Sequence, residues 1–226
     1  MPTESVKKEF IDVIIIGAGL SGICAAYHLQ NDCPKKSYAI FEGRDSIGGT
    51  WDLFRYPGIR SDSDMFTYGY NFKPWTDSDS LASADKIMNY LRETIEENNI
   101  KSKIRLNHKV NKLSWSSEKS IWSLTVEVNG EIKHFESQFV LCCSGYYNYE
   151  QGYQPKFKNK DQFKGIFIHP QHWPKDLDYS NKKIIVIGSG ATAVTLVPNL
   201  VDKASHVTLY NALPPTSCQC QCKIRC

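Results

Sequence analysis

One stretch near the N-terminus, residues 12–22, limits the fold more than any other part of the chain. Its four apolar residues, 13–16, predict a short strand that is buried on both faces. A Gly-x-Gly-x-x-Gly motif made of Gly17, Gly19 and Gly22 follows and opens a helix over 23–30. The first glycine permits a tight turn, the second lets a pyrophosphate approach the backbone, and the third lets the helix pack closely. The free N–H groups of the helix N-terminus then favour phosphate binding.

A carboxylate stands where such a unit holds a nucleotide's ribose. The second strand, 38–41, ends at Glu42, twenty residues after Gly22. A carboxylate at this place accepts hydrogen bonds from an adenosine ribose and repels a 2′-phosphate. The first unit is therefore predicted to take FAD or NAD and not NADP. The plainer alternative is a solvated strand end.

A second glycine turn, 188–193, follows a strand at 183–187 and precedes a helix and a strand at 206–210. Between the two turns the pattern predicts a helix over 83–98 and strands over 104–110, 121–128, 131–135 and 139–143, with Asn129-Gly130 as a hairpin turn. The long stretch 48–62 is rich in glycine and aromatic residues, and long ordered loops tend to be functional. The predicted fold class is α/β, a Rossmann-like flavoprotein fold with two dinucleotide-binding units.

Composition excludes several classes of protein. The 226 residues are 41% hydrophobic and 23% charged with a formal charge of +3, so no nucleic-acid partner is expected. No apolar run approaches the length of a transmembrane segment. Asp12 and the glycines interrupt the only run that resembles a signal peptide. Cys24, Cys33, Cys142 and Cys143 show no disulfide spacing, which predicts a cytoplasmic location.

The connector between the two units carries the most specific pattern in the sequence. Residues 163–174 read Phe-x-Gly-x-x-x-His-x-x-x-Trp-Pro, with fixed positions at Phe163, Gly165, His169, Trp173 and Pro174. This pattern resembles the fingerprint of the Baeyer–Villiger monooxygenases, within the wider flavin-containing monooxygenases. The similarity covers roughly residues 11–210. Without it, a lone histidine flanked by apolar residues is most simply structural, and the aromatic residues are most simply core.

The resemblance implies a role for each matching position. Gly17, Gly19, Ser21 and Gly22 are expected to hold the FAD pyrophosphate, Glu42 its ribose and the backbone of Val110 its adenine. The flavin is expected to lie along Thr50, Trp51, Asp52, Leu53 and Asp62, and the nicotinamide side to face Arg60, Ser61 and Asp62. The NADPH pyrophosphate is expected at Ser189, Gly190, Ala191, Thr192, Ala193, Val194 and Thr195. The fingerprint residues are expected to organise the two units and not to donate protons.

Two features depart from the family's pattern. The family places a cation after the strand that follows the second glycine turn, to hold the NADPH 2′-phosphate, whereas this chain has 210–213 Tyr-Asn-Ala-Leu. The family also continues well beyond this point, and its catalytic arginine lies in that part, so no catalytic residue is assigned here and a truncated N-terminal part is expected. The cysteine-rich end, 218–226, fits no zinc pattern, because tetrahedral sites use Cys-x₂₋₄-Cys pairs.

These expectations divide the chain into an FAD-binding domain with a β-meander (1–145), a linker with the fingerprint (146–182), the start of an NADP-binding domain (183–213) and an aberrant tail (214–226). The leading hypothesis is an FAD- and NADPH-dependent monooxygenase acting with O₂ on a ketone or on a soft sulfur or nitrogen centre, such as a thiocarbonyl or sulfide. A disulfide reductase is the second, although no cysteine pair follows the first unit. The third is an inactive fragment that only binds FAD.

Overall fold

The computed structural model describes residues 8–210, and two β-sheets with five α-helices form its framework. The strands and helices of the first part are β1 (Glu9–Ile16), α1 (Leu20–Asp32), β2 (Tyr38–Phe41), α2 (Thr50–Leu53), α3 (Met65–Tyr68) and α4 (Ala84–Glu97). They are followed by β3 (Ile104–Arg105), β4 (His108–Ser116), β5 (Ile121–Val128), β6 (Glu131–Cys142), β7 (Lys183–Ile187), α5 (Ala191–Leu200) and β8 (His206–Tyr210).

The larger sheet joins a parallel half to an antiparallel half through β6. Its strand order is β3-β2-β1-β6-β5-β4, with β6 parallel to β1 and antiparallel to β5. Helices α1 and α4 cover one face of the parallel half around Ile15, Ile87 and Leu91. The β5–β6 hairpin covers the other face around Phe41 and Leu124. The parallel half of the sheet therefore lies between a helical layer and the antiparallel half, and the predicted α/β, Rossmann-like class is confirmed.

Several predicted elements are confirmed and two boundaries are wrong. The strands at 38–41 and 121–128 form as predicted, and Ser83 caps helix α4 by accepting a 3.4 Å hydrogen bond from the Lys86 N–H. The predicted strand 104–110 is two strands on opposite edges of the sheet, because Asn107 turns the chain with φ of 54°. The strands predicted at 131–135 and 139–143 are one strand, since residues 136–138 contain no glycine, proline or asparagine and the Ser137 hydroxyl donates a hydrogen bond to the Asp12 carbonyl.

The smaller sheet pairs β7 with β8 in parallel, with α5 as the crossover. Residues Ile184, Val186 and Val207 pack beneath Leu196 and Leu200 of α5. The opposite face of this sheet is uncovered by described residues: Ile185 is 66% exposed and Ile187 53% exposed. The regular structure of the connector between the two sheets consists of two short 3₁₀ turns, Lys160–Gln162 and Pro170–His172.

The division into domains 1–145, 146–182, 183–213 and 214–226 stays a prediction. Residues 1–7 and 211–226 lie outside the described residues, and with them the expected 2′-phosphate positions 211–213 and the cysteine-rich end. In the part of the chain from 8 to 210, no helix has the length and apolarity that crossing a membrane requires.

Candidate cofactor site

A cavity of about 800 Å³ opens at the carboxyl ends of β1, β2 and β6. In open parallel sheets, ligands bind at this edge, where the neighbours of one strand lead away on opposite sides. Predicted site residues from both glycine turns and from the chain between them line this one cavity. They are Gly17, Gly19, Ser21, Glu42, Thr50, Trp51, Arg60, Ser61, Asp62, Val110, Ala191, Thr192 and Thr195. The structure therefore brings together residues that are up to 178 positions apart in the sequence.

Two of the three positions in the first glycine turn leave no room for a side chain. Gly17 has φ of 105°, and a Cβ there would lie 2.5 Å from the carbonyl oxygen of Cys143. A Cβ at Gly22 would lie 1.9 Å from the carbonyl oxygen of Gly17. Helix α1 begins after Gly19 without a side-chain cap. Its first N–H groups therefore face the cavity end of the turn without a side-chain acceptor, which fits a dinucleotide's phosphates.

Glu42 is fixed at the end of β2 with its carboxylate facing the turn. The residue is 6% exposed, and its Oε2 accepts a 2.8 Å hydrogen bond from the Ala18 N–H. Its Oε1 accepts a 3.0 Å bond from the Arg44 N–H. An ionised carboxylate has about four acceptor positions, so two are left for the hydroxyls of a ribose. The glycine turn and this carboxylate together fit the adenosine diphosphate part of FAD.

Asp52 does not line the cavity, although it was expected beside the flavin. Its carboxylate accepts three 2.6 Å hydrogen bonds, from Arg44, Ser46 and Arg55, behind helix α2. Burial raises the pKa of Asp52, but these hydrogen bonds and the two guanidinium charges outweigh burial and hold the pKa below its ordinary value. The side chain therefore anchors the loop that carries Thr50 and Trp51. Leu53, on the same short helix, also lies outside the cavity wall.

The second glycine turn reaches the same cavity through the first turn of α5. Ala191, Thr192 and Thr195 line the wall, and α5 begins after Gly190 without a side-chain cap. Tyr56, in the loop of residues 54–62 that follows α2 (the flavin-side loop), is 8% exposed and lies beside Thr192. Burial raises the pKa of Tyr56, so the phenol stays neutral. Four predicted residues of this turn do not line the cavity: Ser189, Gly190, Ala193 and Val194. Ala193 lies on the buried face of α5, and Val194 is 59% exposed.

The fingerprint residues lie outside the cavity wall, and one of them, Trp173, connects elements around it. Trp173 packs against the cluster of Tyr56, Leu196 and Leu200, which joins the flavin-side loop to α5. The His169 ring stands where a Cβ of Gly152 would be, 2.2 Å from Cε1, and Nδ1 accepts a 3.3 Å bond from the Gln171 N–H. The Phe163 ring covers Gly165 in the same way, at 2.4 Å, and Pro174 is exposed. This placement supports the interpretation of these residues as organisers.

Sequence reasoning missed several residues of the cavity wall: Arg44, Lys109, Ser144, Gly145, Tyr147, Tyr149 and Glu150. Ser144 and Gly145 directly follow the carboxyl end of β6, and that position alone was a usable signal. Arg44 stands two residues after Glu42, so its place in the wall could also have been predicted from the sequence. Tyr149 and Glu150 belong to the connector, where no periodic pattern places them. Gly48 also lines the cavity, and a Cβ there would meet Met88 of α4 at 2.3 Å.

Residues 14–219 match the family model described as pyridine nucleotide-disulphide oxidoreductase. The chain belongs to this family. Within it, the chain is 58% identical over 207 residues to the FAD-containing monooxygenase EthA of Mycolicibacterium smegmatis, a match that covers 91% of this chain and 42% of the relative. The chain thus spans about two fifths of the length of the curated relatives that it matches.

Two solved structures extend this family assignment to the fold. Oxidised steroid monooxygenase bound to NADP is 26% identical with a TM-score of 0.77, over 88% of this chain and 38% of that one. OTEMO in complex with FAD and NADP is 27% identical with a TM-score of 0.75, over 90% and 39%. EthA and the steroid monooxygenase are monooxygenases, and with them the resemblance that the fingerprint predicted is confirmed.

Proposed function

We propose that this chain is the FAD-binding part, with the start of the NADPH-binding part, of a flavin-dependent monooxygenase of the Baeyer–Villiger type. The observation that carries the proposal is that both glycine turns open onto one cavity, with Glu42 fixed beside the first turn. FAD, when bound, supplies a centre that accepts a hydride from NADPH and, once reduced, activates O₂.

The protein's own groups would bind and orient the two nucleotides. The N-terminus of α1 meets the FAD diphosphate, Glu42 accepts from the ribose, and the backbone at Val110 lies beside the adenine. Thr50 and Trp51 line the flavin side, and Arg60, Ser61 and Asp62 face the nicotinamide. Thr192 and Thr195 at the start of α5 meet the NADPH diphosphate. Trp173 and Tyr56 pack together against α5, so the flavin-side loop and α5 hold the two binding sites next to each other.

The substrate class that we propose is supported by the monooxygenase relatives and by the chemistry of the flavin. Ketones receive an oxygen atom beside the carbonyl, and soft sulfur or nitrogen centres, such as thiocarbonyls and sulfides, are oxygenated directly. The cytoplasm is the proposed location, because Cys24, Cys33, Cys142 and Cys143 are all free thiols in the described part of the chain. The alternative, a chain that binds FAD without turning over, remains the second candidate because the described wall contains no residue assigned to oxygen chemistry.

The test uses the purified 226-residue chain loaded with FAD. The visible absorption of the flavin is followed after NADPH is added without oxygen, and product formation from a ketone and from a sulfide is measured after air is admitted. Flavin reduction followed by product supports the whole proposal. FAD binding without reduction supports the second candidate, and the absence of FAD binding overturns both.

A further inference from the structure

A short segment of the connector, residues 148–150, crosses beside the cavity and is held at both ends; it is called the strap below. At one end, the buried Gln171 donates a 2.6 Å hydrogen bond to the carbonyl of Asn148. At the other end, the carboxylate of Glu150 forms an ion pair with Lys109 on β4. The Asn148 side chain also accepts a 3.0 Å bond from the Glu150 N–H. The strap therefore has a defined conformation and fixes the direction of Tyr149.

The Tyr149 hydroxyl lies where the first glycine turn meets the loop before α2. It lies beside Thr50 in the cavity wall, and a Cβ at Gly49 would lie 3.1 Å from it. The same Gly49 Cβ would lie 3.4 Å from the Cα of Gly19, so the hydroxyl and the glycine turn face each other across Gly49. Burial raises the pKa of Tyr149, so the phenol keeps its proton and acts as a donor at neutral pH.

A cation completes this part of the wall. The Arg44 guanidinium faces the Tyr149 ring, 5.9 Å from its centroid, and donates a 3.4 Å bond to the Gly49 carbonyl. Its ion-pair partner Asp52 is shared with Arg55, so this carboxylate stands against two guanidinium groups, and the Glu42 carboxylate lies beside them. The contacts among the described residues use two of the five N–H donors of Arg44. A polyanion placed here meets guanidinium N–H donors that the described contacts leave unused and a neutral phenol donor.

We propose that Tyr149 donates a hydrogen bond to the diphosphate of the dinucleotide held by the first glycine turn, with Arg44 as its neighbouring counter-charge. The proposal rests on the proposed function, because it takes FAD as the occupant of this cavity. It assigns a binding role to the strap, which lies outside both glycine motifs and outside the fingerprint. When the cofactor enters, the hydroxyl turns from Thr50 to a phosphate oxygen, and the strap becomes the third wall of the diphosphate site.

The test compares Tyr149→Phe with Tyr153→Phe, a connector tyrosine that is 88% exposed. Dissociation constants of the full 226-residue chain are measured by titration with FAD, and with ADP and adenosine in competition with FAD. We expect Tyr149→Phe to weaken FAD and ADP about 10- to 100-fold, as for a hydrogen bond to a charged group. Adenosine, which has no phosphate, is expected to bind as before, and Tyr153→Phe to leave all three constants unchanged.

Two results overturn this inference. The first is a Tyr149→Phe chain that binds FAD and ADP as the wild type does. The second is an equal weakening of FAD, ADP and adenosine, because that pattern indicates a structural role and not a phosphate contact. A wild-type chain that binds neither FAD nor ADP instead overturns the proposed function itself, so the two failures are distinguishable.

Discussion

Gly17 shows how far a single residue can be predicted. The motif predicts glycine for the turn, and the structure adds the atoms that enforce it, since φ is 105° and the Cys143 carbonyl stands 2.5 Å from a Cβ. Cys143 lies at the end of β6, 126 residues away, so no local pattern reveals that neighbour. The same reason hides the packing of Gly48 on Met88.

We expect Gly17→Val to abolish FAD binding and to lower the free energy of unfolding by about 2–4 kcal/mol, since a branched residue adds backbone strain to a clash with a carbonyl. The measurements are FAD absorbance after gel filtration and denaturant unfolding. Gly43→Ala is the control, because a Cβ there would make an ordinary 3.5 Å contact with Lys109. A yellow Gly17→Val protein with wild-type FAD content contradicts the account of this turn.

Asp52 supplies a prediction about pH. Removing its charge by Asp52→Asn breaks the contacts to Arg44 and Arg55 and is expected to cost about 1–2 kcal/mol of stability, limited by the partial exposure of both arginines. Because the folded pKa lies below the ordinary 3.8, the wild-type advantage is full above that value and is lost as pH falls through the folded pKa.

The check on Asp52 is a series of unfolding curves from neutral to acid pH, with Asp45→Asn, an exposed position in the same loop, as control. A difference between wild type and Asp52→Asn that grows toward acid pH has the wrong sign and refutes the assignment.

At the scale of elements, the sequence predicted a strand correctly where turn-forming residues mark both of its ends. Strand β2 and strand β5 match the predicted residues because each is bounded by turn-forming residues and buried on at least one face. Strands β3 and β4 were merged because only the left-handed Asn107 separates them, and asparagine gives a weak turn signal by itself. At β6 the error was the opposite one, because two strands were predicted and one was found. This continuous strand changes partners from β5 to β1 without a break.

The fingerprint Trp173 gives the prediction at this scale. Trp173→Ala removes a half-buried ring from the cluster with Tyr56 and Leu196, which is expected to cost about 1–3 kcal/mol locally. Hydrogen exchange is expected to become faster in β7, α5 and β8 and to stay unchanged in β1 and β2. Phe163→Ala is the matched control, since its ring is 58% exposed. Uniform loss of protection across both sheets would show that the ring does not act at the junction.

At the scale of the whole molecule, the described residues form one covered sheet and one half-covered sheet. The face of β7 and β8 away from α5 exposes Ile185, Ile187 and Tyr210, by 66%, 53% and 61%. Exposed apolar surface of this kind favours self-association. The first glycine turn is packed against β6, whereas a Cβ at Gly188 or Gly190 would meet no described atom within 4 Å. The first site is therefore the more completely built of the two.

Two neighbouring residues of β7 test this difference between the faces. Ile185→Lys is expected to reduce light scattering at high protein concentration without loss of FAD binding, because the charge faces solvent. Ile184→Lys places the same charge in the cluster under α5 and is expected to unfold the second sheet. Equal behaviour of the two variants contradicts the described orientation of the strand.

The central claim is that the cavity at the carboxyl ends of β1, β2 and β6 binds FAD. The most direct measurement is a titration of the purified 226-residue chain with FAD, followed by flavin fluorescence and calorimetry, in wild type and in Glu42→Gln. We expect the wild-type chain to bind one FAD. In Glu42→Gln we expect the affinity for FAD to fall about tenfold or more, because the contact to the ribose is lost. Absence of saturable FAD binding to a folded wild-type chain, or equal affinity in Glu42→Gln, contradicts it.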